Sequence, residues 1–155
     1  MIDTKRRILL QGSLAAGAIG VAVGAGLLSP RVALAAWPEA AFTAESMDAA
    51  LKELFGTSTL ETSRDVEINV SEFVHAPFPV TVKCDLHDIS SISIFATGNQ
   101  QPLVASFDLG EGALGYVTTR IRMAKTAQVI AVVKTGDRLL SAAKKVKVTD
   151  GDSGD

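Results

Sequence analysis

The chain has 155 residues, 47% hydrophobic and 5% aromatic, with 15 Lys+Arg against 17 Asp+Glu and one cysteine. This length suits one core and leaves no room for a second domain. The acidic balance argues against nucleic acid as a partner, and a lone cysteine rules out a disulfide within the chain.

Lys5-Arg6-Arg7 precedes an uncharged stretch from Ile8 to Leu28, and Ser29-Pro30-Arg31 then leads to Ala33-Leu34-Ala35. A basic segment, an apolar segment and an A-x-A site in that order read as a cleavable export signal. The adjacent arginines point to the twin-arginine (Tat) route, which carries folded proteins to the periplasm. An uncleaved membrane anchor is the competing reading, since about 20 apolar residues can span a bilayer. Gly12, Gly17, Gly20, Gly24 and Gly26 dilute the stretch and favour cleavage. Cleavage after Ala35 removes Asp3 and four basic residues (Lys5, Arg6, Arg7 and Arg31), leaving 11 Lys+Arg against 16 Asp+Glu, a net of −5.

Thr43 is a candidate N-cap for a helix whose apolar positions are Ala44, Met47, Ala50, Leu51, Leu54 and Phe55, with Gly56 as its stop. Such a helix is expected to act as a lid on the remaining domain. Beyond Gly56 the hydrophobic period becomes two. Val66, Ile68 and Val70 alternate with Asp65, Glu67 and Asn69; Val80, Val82, Cys84 and Leu86 share one face, which places the thiol inward. Ile92 and Ile94 repeat the pattern. Thr97 to Gln100 reads as a turn, Leu103 to Leu109 as a strand, Gly110-Glu111-Gly112 as a turn and Tyr116 to Met123 as a strand. Ala127 to Lys134 and Arg138 to Val148 flank a hairpin turn at Thr135-Gly136-Asp137. Six or seven short strands with turns between them predict a mainly β, immunoglobulin-like antiparallel β-sandwich with one short N-terminal helix. After Val148 the apolar alternation stops. The expected organisation is a signal over 1–35, a sandwich over 36–148 and a flexible acidic arm over 149–155.

No C-x-x-C, H-E-x-x-H, G-x-S-x-G or phosphate-cradling glycine loop occurs, so the chain is expected not to be an enzyme and to hold no cofactor. Cys84 reads as an inert core thiol, and His75 and His87 lack the spaced partners of a metal site. Lys144, Lys145 and Lys147 read as an exposed strand edge.

The segments Thr118 to Lys134, Ser141 to Thr149, Asn99-Gln100-Gln101-Pro102-Leu103-Val104-Ala105-Ser106-Phe107 and Trp37 to Leu54 resemble the SoxY family, the sulfur carriers of periplasmic thiosulfate oxidation. The resemblance implies a heterodimer with a SoxZ-like sandwich and a C-terminal G-G-C-G-G arm whose cysteine carries the sulfur. It also implies a cycle in which SoxXA attaches thiosulfate to the arm, SoxB releases sulfate and SoxCD oxidises the remaining sulfane. Counted on from Val148-Thr149, the arm here reads Asp150-Gly151-Asp152-Ser153-Gly154-Asp155, so Ser153 stands at the carrier position, with Gly151, Asp152 and Gly154 around it. A serine hydroxyl supplies essentially no nucleophilic anion where a thiol supplies some, and the aspartates repel anionic cargo. The implied role is a non-carrying SoxY subunit without metal or cofactor. The alternative is an exported immunoglobulin-like adaptor whose acidic tail binds calcium or a basic surface; the tail lacks the glycine and distal glutamate of an EF-hand loop.

Overall fold

A computed structural model describes residues 37–149; the expected signal and the arm from Asp150 lie outside the described residues. Two short helices open the domain, α1 (Glu39–Thr43) and α2 (Met47–Phe55). The expected single helix capped by Thr43 is therefore corrected. Thr43 turns its hydroxyl back onto the Glu39 carbonyl at 3.0 Å and closes α1. Ser46, extended at φ −134° and ψ 151°, caps α2 by accepting the Ala49 N–H at 3.1 Å. Gly56 ends α2 in the left-handed region, as expected, donating its N–H to the Lys52 carbonyl.

Nine strands follow among the described residues: β1 (Glu61–Thr62), β2 (Val66–Asn69), β3 (Phe73–Val74), β4 (Phe78–Cys84), β5 (Ile89–Ala96), β6 (Leu103–Asp108), β7 (Tyr116–Ile121), β8 (Ala127–Thr135) and β9 (Arg138–Val148). The larger sheet runs β1-β9-β8-β5-β6, with β3 also against β9; the smaller runs β2-β4-β7. All the longer strands pair antiparallel, as the hairpin signals require. The count exceeds the expected six or seven because β1 and β3 have two residues each, too few to show a period. Both lie parallel to β9, where the chain passes beside that strand twice.

The main core fills the space between the sheets. Val80, Val82 and Cys84 of β4 belong to the same buried cluster as Ile92 and Ile94 of β5, Val129, Ala131 and Val133 of β8, and Leu140 and Val146 of β9. A second cluster covers the outer face of the larger sheet, where Ala41, Ala50 and Leu51 of the helices join Phe95, Leu103, Val132 and Leu139. This explains why β5 departs from simple alternation. One face looks into the sandwich and the other lies under the helical layer, so Ser91, Ser93 and Phe95 are buried as well as Ile92 and Ile94. Among the described residues no helix is long and apolar enough to cross a membrane.

Candidate functional site

The strand ends divide the sandwich into two poles. At one, the β4–β5 turn, the β6–β7 loop and the β8–β9 hairpin meet: Thr135 donates its hydroxyl to the His87 carbonyl at 3.0 Å, and the Cys84 N–H bonds the Gly115 carbonyl at 2.7 Å. At the other, the β5–β6 turn and the β7–β8 loop lie beside the end of β9. Asn99 joins two of these segments, donating to the Arg122 carbonyl and accepting from the Ala124 N–H, both at 2.8 Å. The Val148 N–H bonds the Thr126 hydroxyl at 3.0 Å, which sets the end of β9 against the β7–β8 loop.

The second pole is where the described residues end. The last described residue, Thr149, is gripped by the segment around β3. Its N–H donates to the Val74 carbonyl at 3.0 Å, its hydroxyl to the same carbonyl at 3.2 Å, and its own carbonyl lies 3.0 Å from His75 Nδ1. One residue before Val148, Lys147 reaches Glu72 at 3.6 Å and lies 4.9 Å over the Phe73 ring. Arg120, Arg122, Lys125, Lys144, Lys145 and Lys147 are all exposed at this pole. Thr149 therefore sits at a pole where exposed basic side chains outnumber the acidic Glu72 paired with Lys147, an excess that attracts small anions.

The first pole holds a cleft of ≈ 670 Å³ between the β4–β5 turn and the β6–β7 loop. Gly115 makes its floor possible, because a side chain there would collide with the Cys84 carbonyl and with Ile89 Cδ1. Asp85, Asp88 and Glu111 line it with His87 and Lys83, and Lys83 pairs with Asp85 at 3.1 Å. The hydrogen bond to Asp85, followed by the carboxylate's charge, raises the Lys83 pKa.

Cys84 lies beneath this cleft with 3% exposure. Burial pushes its thiol up from the ordinary value, against an opposing hydrogen bond from the Leu86 backbone. It is a protonated core thiol rather than an ionised one. Its inward orientation follows the alternation of β4. His75 and His87 stand at opposite poles, and among the described residues no three metal-ligating side chains come together.

Ser153, Gly151, Asp152 and Gly154 lie outside the described residues. The cleft is separated from Thr149 by the length of β9, whose 11 residues span about 33 Å. The grip of His75 and Val74 on Thr149 was not legible in the sequence, because the partners are 74 and 75 residues apart and nothing local marks them.

The family described as "Sulfur oxidation protein SoxY" matches residues 51–152. Among solved structures, the sulfur carrier protein SoxY from Chlorobium limicola f thiosulfatophilum is 37% identical with a TM-score of 0.61, covering 66% of this chain and 96% of that one. A substituted form of the superoxide reductase (neelaredoxin) from Ignicoccus hospitalis is 20% identical with a TM-score of 0.51, covering 58% of this chain and 94% of that one. The Ignicoccus hospitalis enzyme without a substitution gives 22% and 0.50, covering 56% and 81%; these two likenesses show the fold alone. No curated protein matches. With two thirds of the chain matched by the family and a 37% identical sulfur carrier sharing its immunoglobulin-like sandwich, the chain belongs to the SoxY family.

Proposed function

We propose that the protein is the SoxY-type subunit of a SoxYZ-type complex in periplasmic sulfur oxidation, and that this copy docks with its partners without carrying sulfur itself. Residues 1–35 act as its Tat signal, and the exported domain pairs with a SoxZ-like sandwich. The observation that carries the reading is Ser153 in the sequence, standing where the SoxY resemblance calls for the carrier cysteine. The exposed Arg and Lys side chains near Thr149 suit the attraction of thiosulfate and sulfite. At residue 153 the chemistry fails. Oxidative attachment of thiosulfate needs a sulfhydryl that ionises and forms a sulfur–sulfur bond, and a serine hydroxyl does neither. Asp150, Asp152 and Asp155 further offset the pull of those basic side chains on an anion. Cys84 offers no substitute, being buried and at the far pole. SoxXA, SoxB and SoxCD then meet a subunit with a SoxY scaffold and no cargo.

The test uses the protein recovered from the periplasm and incubated with thiosulfate and SoxXA. No mass is expected on the peptide containing residues 149–155, while the Ser153→Cys variant gains a thiosulfate-derived adduct on that peptide. An adduct on the unmodified protein refutes the non-carrying role. Co-expression with a SoxZ homologue followed by size exclusion tests the pairing separately, and a stable heterodimer is expected.

A further inference from the structure

Two contiguous segments line the cleft at the first pole: residues 83–90, the β4–β5 turn with its flanks, and residues 109–116, the β6–β7 loop. They are joined at both ends. The Cys84 N–H donates to the Gly115 carbonyl at 2.7 Å, and the Leu109 N–H donates to the Ser90 carbonyl at 2.9 Å. The turn is also fastened to β8, where Thr135 donates its hydroxyl to the His87 carbonyl at 3.0 Å and Ser90 donates its own to the Lys134 carbonyl at 3.3 Å. Such a cleft stands open before a ligand arrives, so little ordering of the walls opposes binding. Its ≈ 670 Å³ lies within the range of small-molecule sites, about 300–1,000 Å³.

The lining offers apolar surface first. Leu86 and Leu109 are half-buried against the main core. Among the described residues four large hydrophobic side chains stay exposed, and two of them, Leu114 at 83% and Tyr116 at 57%, belong to this cleft. Apolar side chains left in water around a formed cavity mark a place where a hydrocarbon displaces that water favourably. Charge then sets the sign of the ligand. The lining holds three carboxylates, Asp85, Asp88 and Glu111, against one ammonium, and that ammonium, Lys83, is already paired with Asp85. Among the described residues Asp88 and Glu111 have no cationic partner. A positive group entering the cleft is attracted by both, and a negative one is repelled by both.

We propose that this cleft is a small-molecule site for an organic cation, a primary amine or guanidine carried on a hydrocarbon body. The body rests on the leucines and Tyr116, and the charged head is held by Asp88 and Glu111. The Tyr116 ring attracts the same charge through its face. The site lies across the sandwich from Thr149, so it stands apart from the sulfur-carrier reading.

The test titrates the isotope-labelled exported protein with hexylamine, hexanol and hexanoate, which share one hydrocarbon and differ in charge, and follows the backbone amide shifts. Hexylamine should give saturable shifts confined to residues 83–90 and 109–116. It should bind about fivefold or more tighter than hexanol, with hexanoate weakest, since one carboxylate about 4 Å from the head is worth about a factor of five in water. Asp88→Asn keeps a residue type that tolerates the φ of 59° at that position. That variant and Glu111→Gln should each weaken hexylamine about fivefold and leave hexanol unchanged. Leu114→Ser should weaken hexylamine and hexanol alike. Shifts that do not saturate or that scatter over the surface overturn the proposal. So does hexanoate binding as tightly as hexylamine, or an Asp88→Asn, Glu111→Gln double variant that binds hexylamine like the parent.

Discussion

Exchanging Cys84 for serine puts a hydroxyl in place of a thiol of similar shape, inside the main core and 3% exposed. A hydroxyl buried without its own acceptor costs about 1–3 kcal/mol. Cys84→Ala instead removes one heavy atom and costs about 1 kcal/mol. Against a total of about 5–15 kcal/mol, both variants fold. The order matters more than the size: serine should be worse than alanine only if the site is dry. Urea unfolding at constant slope reads this order as two shifts in midpoint. Accessibility and pH give independent readouts. Burial makes the folded thiol hold its proton to higher pH than the unfolded one. Its contribution is therefore fully present below the ordinary thiol range, and it is lost as pH rises from about 8.5 toward the folded value. Cys84→Ala flattens that alkaline decline. In the native protein a disulfide reagent should label Cys84 only as fast as the domain opens. Labelling at the rate of a free thiol, or a serine variant as stable as the alanine one, refutes the reasoning.

Phe95→Ala should cost about 3–5 kcal/mol, because the ring is fully buried between the larger sheet and the helical layer; chemical denaturation reads it, and a cost below about 1 kcal/mol would mean the helices do not cover that face. Asn99→Ala removes both 2.8 Å bonds that tie the β5–β6 turn to the segment after β7, and should cost about 1–2 kcal/mol. Hydrogen exchange at the Ala124 amide should quicken in that variant, while protection at the Thr135 end of the β8–β9 ladder, at the opposite pole, changes only with global stability.

How much of this could be read in advance depended on whether a residue's surroundings were local. Cys84 was legible because β4 has solvent on one face and core on the other, so period two survives in the sequence. Ser93 and Phe95 were not, since a strand buried on both faces loses its alternation to whatever covers the second side. The hairpin at Gly136-Asp137 was plain from its turn residues, and Gly136 takes the positive φ of 57° that such a turn asks for. Thr43 and Ser46 are both good caps; only the presence of α1 ahead of them decides which hydroxyl is free to cap α2. For the site, the position of Ser153 came from family spacing. The basic pole did not, because its charges are brought together by the β7–β8 loop and the end of β9.

The arrangement also separates what stabilises the domain from what a carrier does. β8 and β9 are zipped through nine registered residue pairs from Ala127↔Val146 to Thr135↔Arg138, and β3 fixes the end of β9 through Phe73↔Lys147 and Val74↔Val148. That framework closes on Thr149. If Ser153 serves only at the carrier position proposed for it, exchanging its side chain changes chemistry and leaves that framework untouched. Ser153→Cys should then leave the stability read from urea unfolding within about 0.5 kcal/mol of the parent, as for a substitution that creates no cavity and breaks no buried network. A thiol gained at that cost would supply the sulfhydryl that the proposed carrier position calls for. A larger loss of stability would mean that Ser153 supports the sandwich, and would count against its assignment to the carrier position.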